Sequence, residues 1–142
     1  HIVIACNTAH LLLHEIQTLF STKVTSLIDL AENAALEGGN QKVGLLASPT
    51  TIKSKLHKKL FELDTIITPT KPNLDEVRNI IQSVIGGQVN LEQRLSKQVQ
   101  ELQLRGAQKV ILGCSELSVI NHGMQFAGVI DPLDLVCSKI MN

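Results

Sequence analysis

The feature that most constrains the fold of this chain is a pattern it carries twice. Ile2-Val3-Ile4-Ala5-Cys6-Asn7-Thr8 lies position for position over Val110-Ile111-Leu112-Gly113-Cys114-Ser115-Glu116. In each copy an apolar, mostly β-branched run leads to a small residue, a cysteine, and a polar residue able to cap a helix (Asn7 or Thr8; Ser115). Such a run, bounded by a cap, reads as a parallel strand buried on both faces, and the carboxyl end of that strand is where α/β sheets bind ligands. Both cysteines are therefore expected at strand ends beside helix N-termini. The free N–H groups and partial positive charge there favour anions and lower a thiol's pKa. Packing alone accounts for one cysteine, a residue commonly buried; two in matched settings point to chemistry.

Between and around the two copies, strands alternate with helices. Asn7 and Thr8 are expected to open a helix with Leu11, Leu12, Ile16, Leu19 and Phe20 as its apolar stripe. Val24 to Ile28 reads as a strand, Asp29 as the cap of a helix through Leu36, and Gly38-Gly39-Asn40 as a hinge. Val43 to Ala47 is a strand; Thr50 or Thr51 then begins a helix carrying Ile52, Leu56, Leu60 and Phe61. A short strand at Thr65 to Thr68 precedes a helix with Val77, Ile80, Ile81 and Val84, and a further amphipathic helix spans Leu91 to Leu104. After the second cysteine come a short helix to Ile120, a strand at Gly128 to Ile130, and a terminal helix from Asp131-Pro132. This alternation implies an α/β fold: two layered α/β lobes with parallel sheets. Residues 41–122 suffice for a complete second lobe, whereas 1–40 with 123–142 make a first lobe that is incomplete, two strands and a third from the C-terminal return.

Composition narrows the function classes. Thirteen basic residues balance thirteen acidic ones and aromatics make up only 2%, so neither a field nor stacking surfaces recruit nucleic acid. The three cysteines form no CxxC pair, and Cys137 reads as helix core, which argues against a secreted disulfide framework and for reduced cytoplasmic thiols. No charged leader and no long apolar run call for a signal peptide or membrane span. A chain that opens on a buried strand without Met is expected to have lost something before it. His10 and His14, one helical turn apart with Glu15 and Cys6 nearby, are the candidate metal group; a zincin would place glutamate where Leu11 stands, so no metal is expected. His57 and His122 read as surface residues.

In this order, the two cysteine segments resemble those of the aspartate/glutamate racemase family, the cofactor-independent amino-acid racemases. The family's C-N-T-A-H is present as Cys6-Asn7-Thr8-Ala9-His10, and its G-C-T-E as Gly113-Cys114-Ser115-Glu116. Its intervening G-L-L-A-T-x-G-T strand matches Gly44-Leu45-Leu46-Ala47-Ser48-Pro49-Thr50-Thr51, with serine, proline and threonine at the changed places.

The resemblance implies two-base proton transfer at an amino-acid α-carbon, with Cys6 and Cys114 catalytic and Asn7, Thr8, Ala9, Thr51 and Ser115 lining the substrate cradle. His10 and Glu116, beside the two cysteines, are expected to orient or tune the thiols; the resemblance further implies a small acidic amino acid as substrate, no cofactor and a homodimer. It also implies an N-terminal βα portion, bearing a substrate-binding arginine, ahead of the C-N-T-A-H strand; this sequence lacks it. Where family members acting on acidic substrates hold a lysine, in I-K-x-G, this chain has Val84-Ile85-Gly86-Gly87. The wider superfamily includes hydantoin racemase, maleate isomerase and arylmalonate decarboxylase; paired cysteines favour racemisation or isomerisation. Two alternatives stand beside this: an inactive or purely ligand-binding module of the same fold, and a thiol-redox protein pairing Cys6 with Cys114.

Overall fold

The VGLLA and KVILG runs become the two longest strands, β3 (Val43–Ala47) and β5 (Lys109–Gly113), paired in parallel from Val43↔Lys109 to Ala47↔Gly113. The computed structural model describes residues 2–39, 41–124 and 126–141; His1 of the first cysteine stretch and Asn40 of the glycine hinge lie outside them. β4 (Ile66–Ile67) joins the far edge of β3 and β6 (Val129–Ile130) that of β5, giving a four-stranded parallel sheet in the order β4-β3-β5-β6. Successive side chains of a strand face opposite ways. Val43, Leu45, Ala47 and Ile111 accordingly pack against Ala31, Ala35 and Leu60, while Leu46, Val110 and Leu112 pack against Val77, Ile80, Leu95, Val99, Leu102 and Leu117. Burial on both faces is why these strands read as unbroken apolar runs rather than alternating ones. Each buried leucine or valine contributes roughly 1.5–3 kcal/mol by leaving water.

The second face is covered by α5 (Lys71–Ile85), α6 (Glu92–Leu104) and α7 (Ser115–Asn121). On the first lie α2 (Leu27–Leu36) and α4 (Lys58–Glu62), with α8 (Pro132–Met141) packed on α2. Lys109, at the start of β5, donates from Nζ to the carbonyls of Ala34 (2.7 Å) and Glu37 (2.9 Å). These are carbonyls that the end of α2 leaves without helical partners, so the lysine both caps the helix and docks it on the sheet. Gly38 and Gly39, at φ +95° and +110°, then turn the chain away.

The first cysteine strand pairs separately: β1 (Ile2–Val3) and β2 (Val24–Thr25) form a two-stranded parallel sheet. The helix expected from Asn7 to Phe20 is instead a 3-10 turn, Thr8–Leu12, followed by α1 (Leu13–Thr18). Its apolar stripe is not core: Leu11, Leu12, Leu19 and Phe20 are exposed, because two short strands offer too little surface to cover it. The expected strand at Val24–Ile28 stops at Thr25, since Ser26 caps α2 by accepting the Asp29 N–H at 3.1 Å; Asp29 is a first-turn acid and not the cap.

The helix expected from Thr50 through Phe61 divides into α3 (Pro49–Lys53) and α4, broken at Lys55, whose φ is +50°. The last strand does not return to the first sheet. Val129 and Ile130 pair with Val110 and Ile111, and the Asp131 carboxylate that follows accepts from Ser118 Oγ (2.7 Å) and Asn121 Nδ2 (3.2 Å) of α7, tying this return to the second sheet. Cys137, expected in the core, is exposed, the buried contact of α8 being made by its neighbour Val136. Among the described residues no helix is long and apolar enough to cross a membrane.

Candidate active site

β5 ends at Gly113, where an added Cβ would stand 2.8 Å from Ala47 Cβ and 3.0 Å from Leu45 Cδ1. Only glycine lets β5 lie this close to β3, and the next residue, Cys114, is delivered at the strand's end as the N-cap of α7. Its Sγ–H donates to Glu116 Oε2 at 2.8 Å, and Ser115 Oγ–H donates to the same oxygen at 3.2 Å. Burial of the sulfur, then the hydrogen bond to Glu116 and its charge, push the Cys114 thiol up to about 12; the charge of Cys6 acts in the same direction. The lowering expected from the helix terminus is thus reversed, because burial and an adjacent carboxylate outweigh the partial charge of one short helix. For Glu116, burial alone would raise the pKa. The hydrogen bonds it accepts from Cys114, its own backbone N–H and Ser115 overcome that and hold it below the usual carboxylate range.

Cys6 lies in the exposed loop after β1. Asn7 is buried, its side chain makes no cap bond, and its Oδ1 meets no hydrogen-bond partner among the described residues. Thr8 Oγ1 stands 2.9 Å from Thr51 Oγ1 and 3.3 Å from Ser48 Oγ, tying the first cysteine loop to the β3–α3 turn of the other sheet. Thr51 is fully buried, its hydroxyl also within 3.1 Å of Ser48 Oγ. Ala9 follows, half-buried, in the 3-10 turn. His10 closes the group from behind: its ring reaches the Cys6 carbonyl through Nδ1 (2.8 Å) and accepts the Leu27 N–H at Nε2 (3.0 Å).

The expected site residues thus form two groups, Cys6 to Ala9 with Thr51, and Cys114 with Ser115, linked through the electrostatic effect of Cys6 on Cys114. The capping roles expected of Asn7, Thr8 and Ser115 are not made by their side chains. Cys114 holds the N-cap position of α7 and Ser115 is its first helical residue. Among the described residues no group of three or more His, Cys, Asp or Glu side chains could hold a metal ion.

Two residues went unremarked as site elements. Ser48 caps α3, its Oγ accepting the Thr51 N–H at 3.2 Å, and orients both threonines. A serine followed by proline at a strand's end is the sequence signal for such a cap. His57, expected at the surface, is 0% exposed, and among the described residues neither ring nitrogen has a hydrogen-bond partner. Burial and, second, the electrostatic effect of nearby His10 lower its pKa from 6.5 to about 4. A histidine among Lys53, Lys55, Lys58 and Lys59 has no pattern that announces burial.

Over residues 1–140 the chain matches the profile of the Asp/Glu/Hydantoin racemase family. It is 25% identical over 126 residues to a glutamate racemase of Shewanella woodyi, a match covering 87% of this chain and 47% of that protein. Among solved structures, the aspartate racemase of Picrophilus torridus superposes with a TM-score of 0.74 at 23% identity, over 96% of this chain and 61% of that one. An aspartate racemase homologue from Pyrococcus horikoshii gives 0.77 at 26% identity, over 99% and 64%. The chain therefore spans about half of that glutamate racemase and less than two thirds of either solved chain. A family match along almost its whole length, on an α/β fold shared with these racemases, leads to one conclusion: this chain belongs to the Asp/Glu/Hydantoin racemase family.

Proposed function

We propose that the protein carrying this chain interconverts the L and D forms of aspartate or glutamate without a cofactor, using Cys6 and Cys114 as paired acid and base. In one direction Cys6, as thiolate, removes the α-proton; the electron pair left on the α-carbon, delocalised into the substrate carboxylate, takes a proton from the Cys114 thiol on the opposite face. The reverse direction exchanges the roles. The observation that carries this reading is the state of Cys114: a half-buried thiol after a strand end, kept protonated by burial and Glu116, and within electrostatic reach of a second sulfur. An acid that holds its proton until a stronger base, the α-carbanion, develops beside it is what the second half of the reaction requires.

Asn7, Thr8, Ala9, Thr51 and Ser115 are the proposed substrate cradle. The free, buried Asn7 Oδ1 suits the substrate ammonium, and the Thr8, Ser48 and Thr51 hydroxyls suit its carboxylate. Ile85, the exposed last residue of α5, supplies no charge to a substrate's side-chain carboxylate. The same reading carries a homodimeric assembly, to be checked by sedimentation, and a cytoplasmic location, which suits three free thiols.

The test is exchange in deuterated water. The intact protein, incubated with L-aspartate and separately with L-glutamate, should wash deuterium into the α-position and generate the D form; Cys6→Ser and Cys114→Ser should each abolish formation of the D form, and the two together should abolish wash-in. No wash-in with either substrate, or wash-in that survives both substitutions, would overturn the proposal. Substrate binding without exchange would instead mark a binding module, and a reducible Cys6–Cys114 bond a redox protein.

A further inference from the structure

We propose that His10 is a positioning residue for Cys6: its neutral ring, protonated at Nδ1, spans the Cys6 carbonyl and the first N–H of α2 and so fixes the loop that carries the reactive sulfur. The inference rests on the proposed racemase reading in one respect, that Cys6 is the reacting thiol.

The hydrogen-bond pattern assigns the tautomer. Leu27 N–H can only donate, so Nε2, 3.0 Å away, carries no proton; the Cys6 carbonyl can only accept, so Nδ1, 2.8 Å away, carries one. His10 as a whole is 6% exposed, which leaves little water to substitute for either partner. Leu27 opens α2, and its N–H is one of those a helix leaves without a backbone acceptor. His10 therefore uses the end of a docked helix as a fixed post and holds the cysteine loop to it.

The same loop is held in front. Asn7 O accepts the His10 N–H at 3.0 Å, and Thr8 Oγ1 meets Thr51 Oγ1 at 2.9 Å. Between these anchors the Cys6 side chain is exposed and follows the direction its backbone sets. Without the bond to its carbonyl the Cys6 peptide is free to rotate, and displacement of a reacting group by about 1 Å suffices to cost on the order of a hundredfold in rate.

Two partial replacements separate the ring's contacts. His10→Asn places its Nδ2 near the position of Nδ1 and keeps the donor to Cys6. His10→Gln places Oε1 near the position of Nε2 and keeps the acceptor for Leu27. His10→Ala loses both. In the intact protein, Ala and Gln should lower kcat for α-deuterium exchange on the order of tenfold or more with little change in KM, while Asn recovers most of the loss. The alkylation rate of Cys6 by iodoacetamide, read by peptide mapping against Cys114, should depart severalfold from wild type in Ala and Gln and return toward it in Asn. Recovery by Gln and not Asn, or activity and alkylation that simply track thermal midpoints across the three variants, would overturn the proposal. If the wild-type protein exchanges no α-hydrogen but Cys6 alkylation still follows the Asn-over-Gln order, the racemase reading fails and the positioning of Cys6 stands.

Discussion

Acidification should destabilise this protein most through one histidine. His57 caps α4 fully buried, with neither ring nitrogen hydrogen-bonded among the described residues, and burial, followed by a smaller electrostatic effect of His10, lowers its pKa from 6.5 to about 4. In the unfolded chain the ring meets water and takes a proton near its ordinary value. Because the folded value is the depressed one, the stability carried by the neutral ring is fully present above 6.5 and is lost as pH falls toward about 4, where only the unfolded chain binds the proton. That interval is worth about 3 kcal/mol, a large share of a typical domain's net stability.

His57→Leu keeps comparable volume and removes the titrating nitrogens, so its stability should fall less over the same range. Glu32 acts in the opposite sense: burial raises its pKa, and its protonation favours the folded state as pH drops. Both proteins contain it, so it cancels in the comparison. Urea unfolding of each at pH 7 and pH 4 gives the difference directly: wild type should lose about 3 kcal/mol more than the variant. Parallel losses in the two proteins, or a native His57 ring that titrates near 6.5 by NMR, would refute the reasoning.

Replacing Glu116 by Gln removes the hydrogen-bonding charge from Cys114, so its thiol should titrate below about 12 while burial keeps it above the ordinary 9.0. Alkylation of Cys114 at pH 9 should therefore accelerate, and an unchanged or slower rate counts against the assignment. Gly113→Ala forces a Cβ to 2.8 Å from Ala47 Cβ; it should cost about 1–3 kcal/mol in urea unfolding and, by displacing Cys114, depress α-deuterium exchange well beyond that of a surface control. At the buried Glu32, Gln preserves the acceptor that Lys59 N–H uses at 3.0 Å and discards the desolvated charge, so stability at pH 7 should hold or rise. Glu32→Ala strands that N–H and should lose about 1–2 kcal/mol.

Much of the fold was legible because strands buried on both faces must be continuously apolar. VGLLA and KVILG announced the centre of the sheet, and the helices with sustained 3.6-residue periodicity, α5 and α6, lie where their stripes placed them. Where the apolar residues are few, local pattern misled. The stripe from Leu11 to Phe20 looks like core yet is exposed, because periodicity reports a face and not whether anything covers it. Ser26 took the cap assigned to Asp29, and Ser48 caps the helix expected to begin at Thr50 or Thr51, since which of several polar residues caps a helix depends on where the preceding strand lets go.

By itself, then, the sequence determined the α/β alternation, the cysteine that directly follows β5 and the motif that ties the chain to its family, because each is written in contiguous residues whose spacing alone fixes their meaning. The first cysteine, expected at the end of a buried strand, instead lies in an exposed loop three residues beyond the short, part-buried β1. The side-chain states at the site were decided only by tertiary structure. Packing turned the expected lowering of the Cys114 pKa into a rise, brought Thr8 against Thr51 across 43 residues, set His10 between Cys6 and Leu27, and buried His57 without a partner. Desolvation and hydrogen bonding act through distance in space, and no local reading of the chain contains that distance.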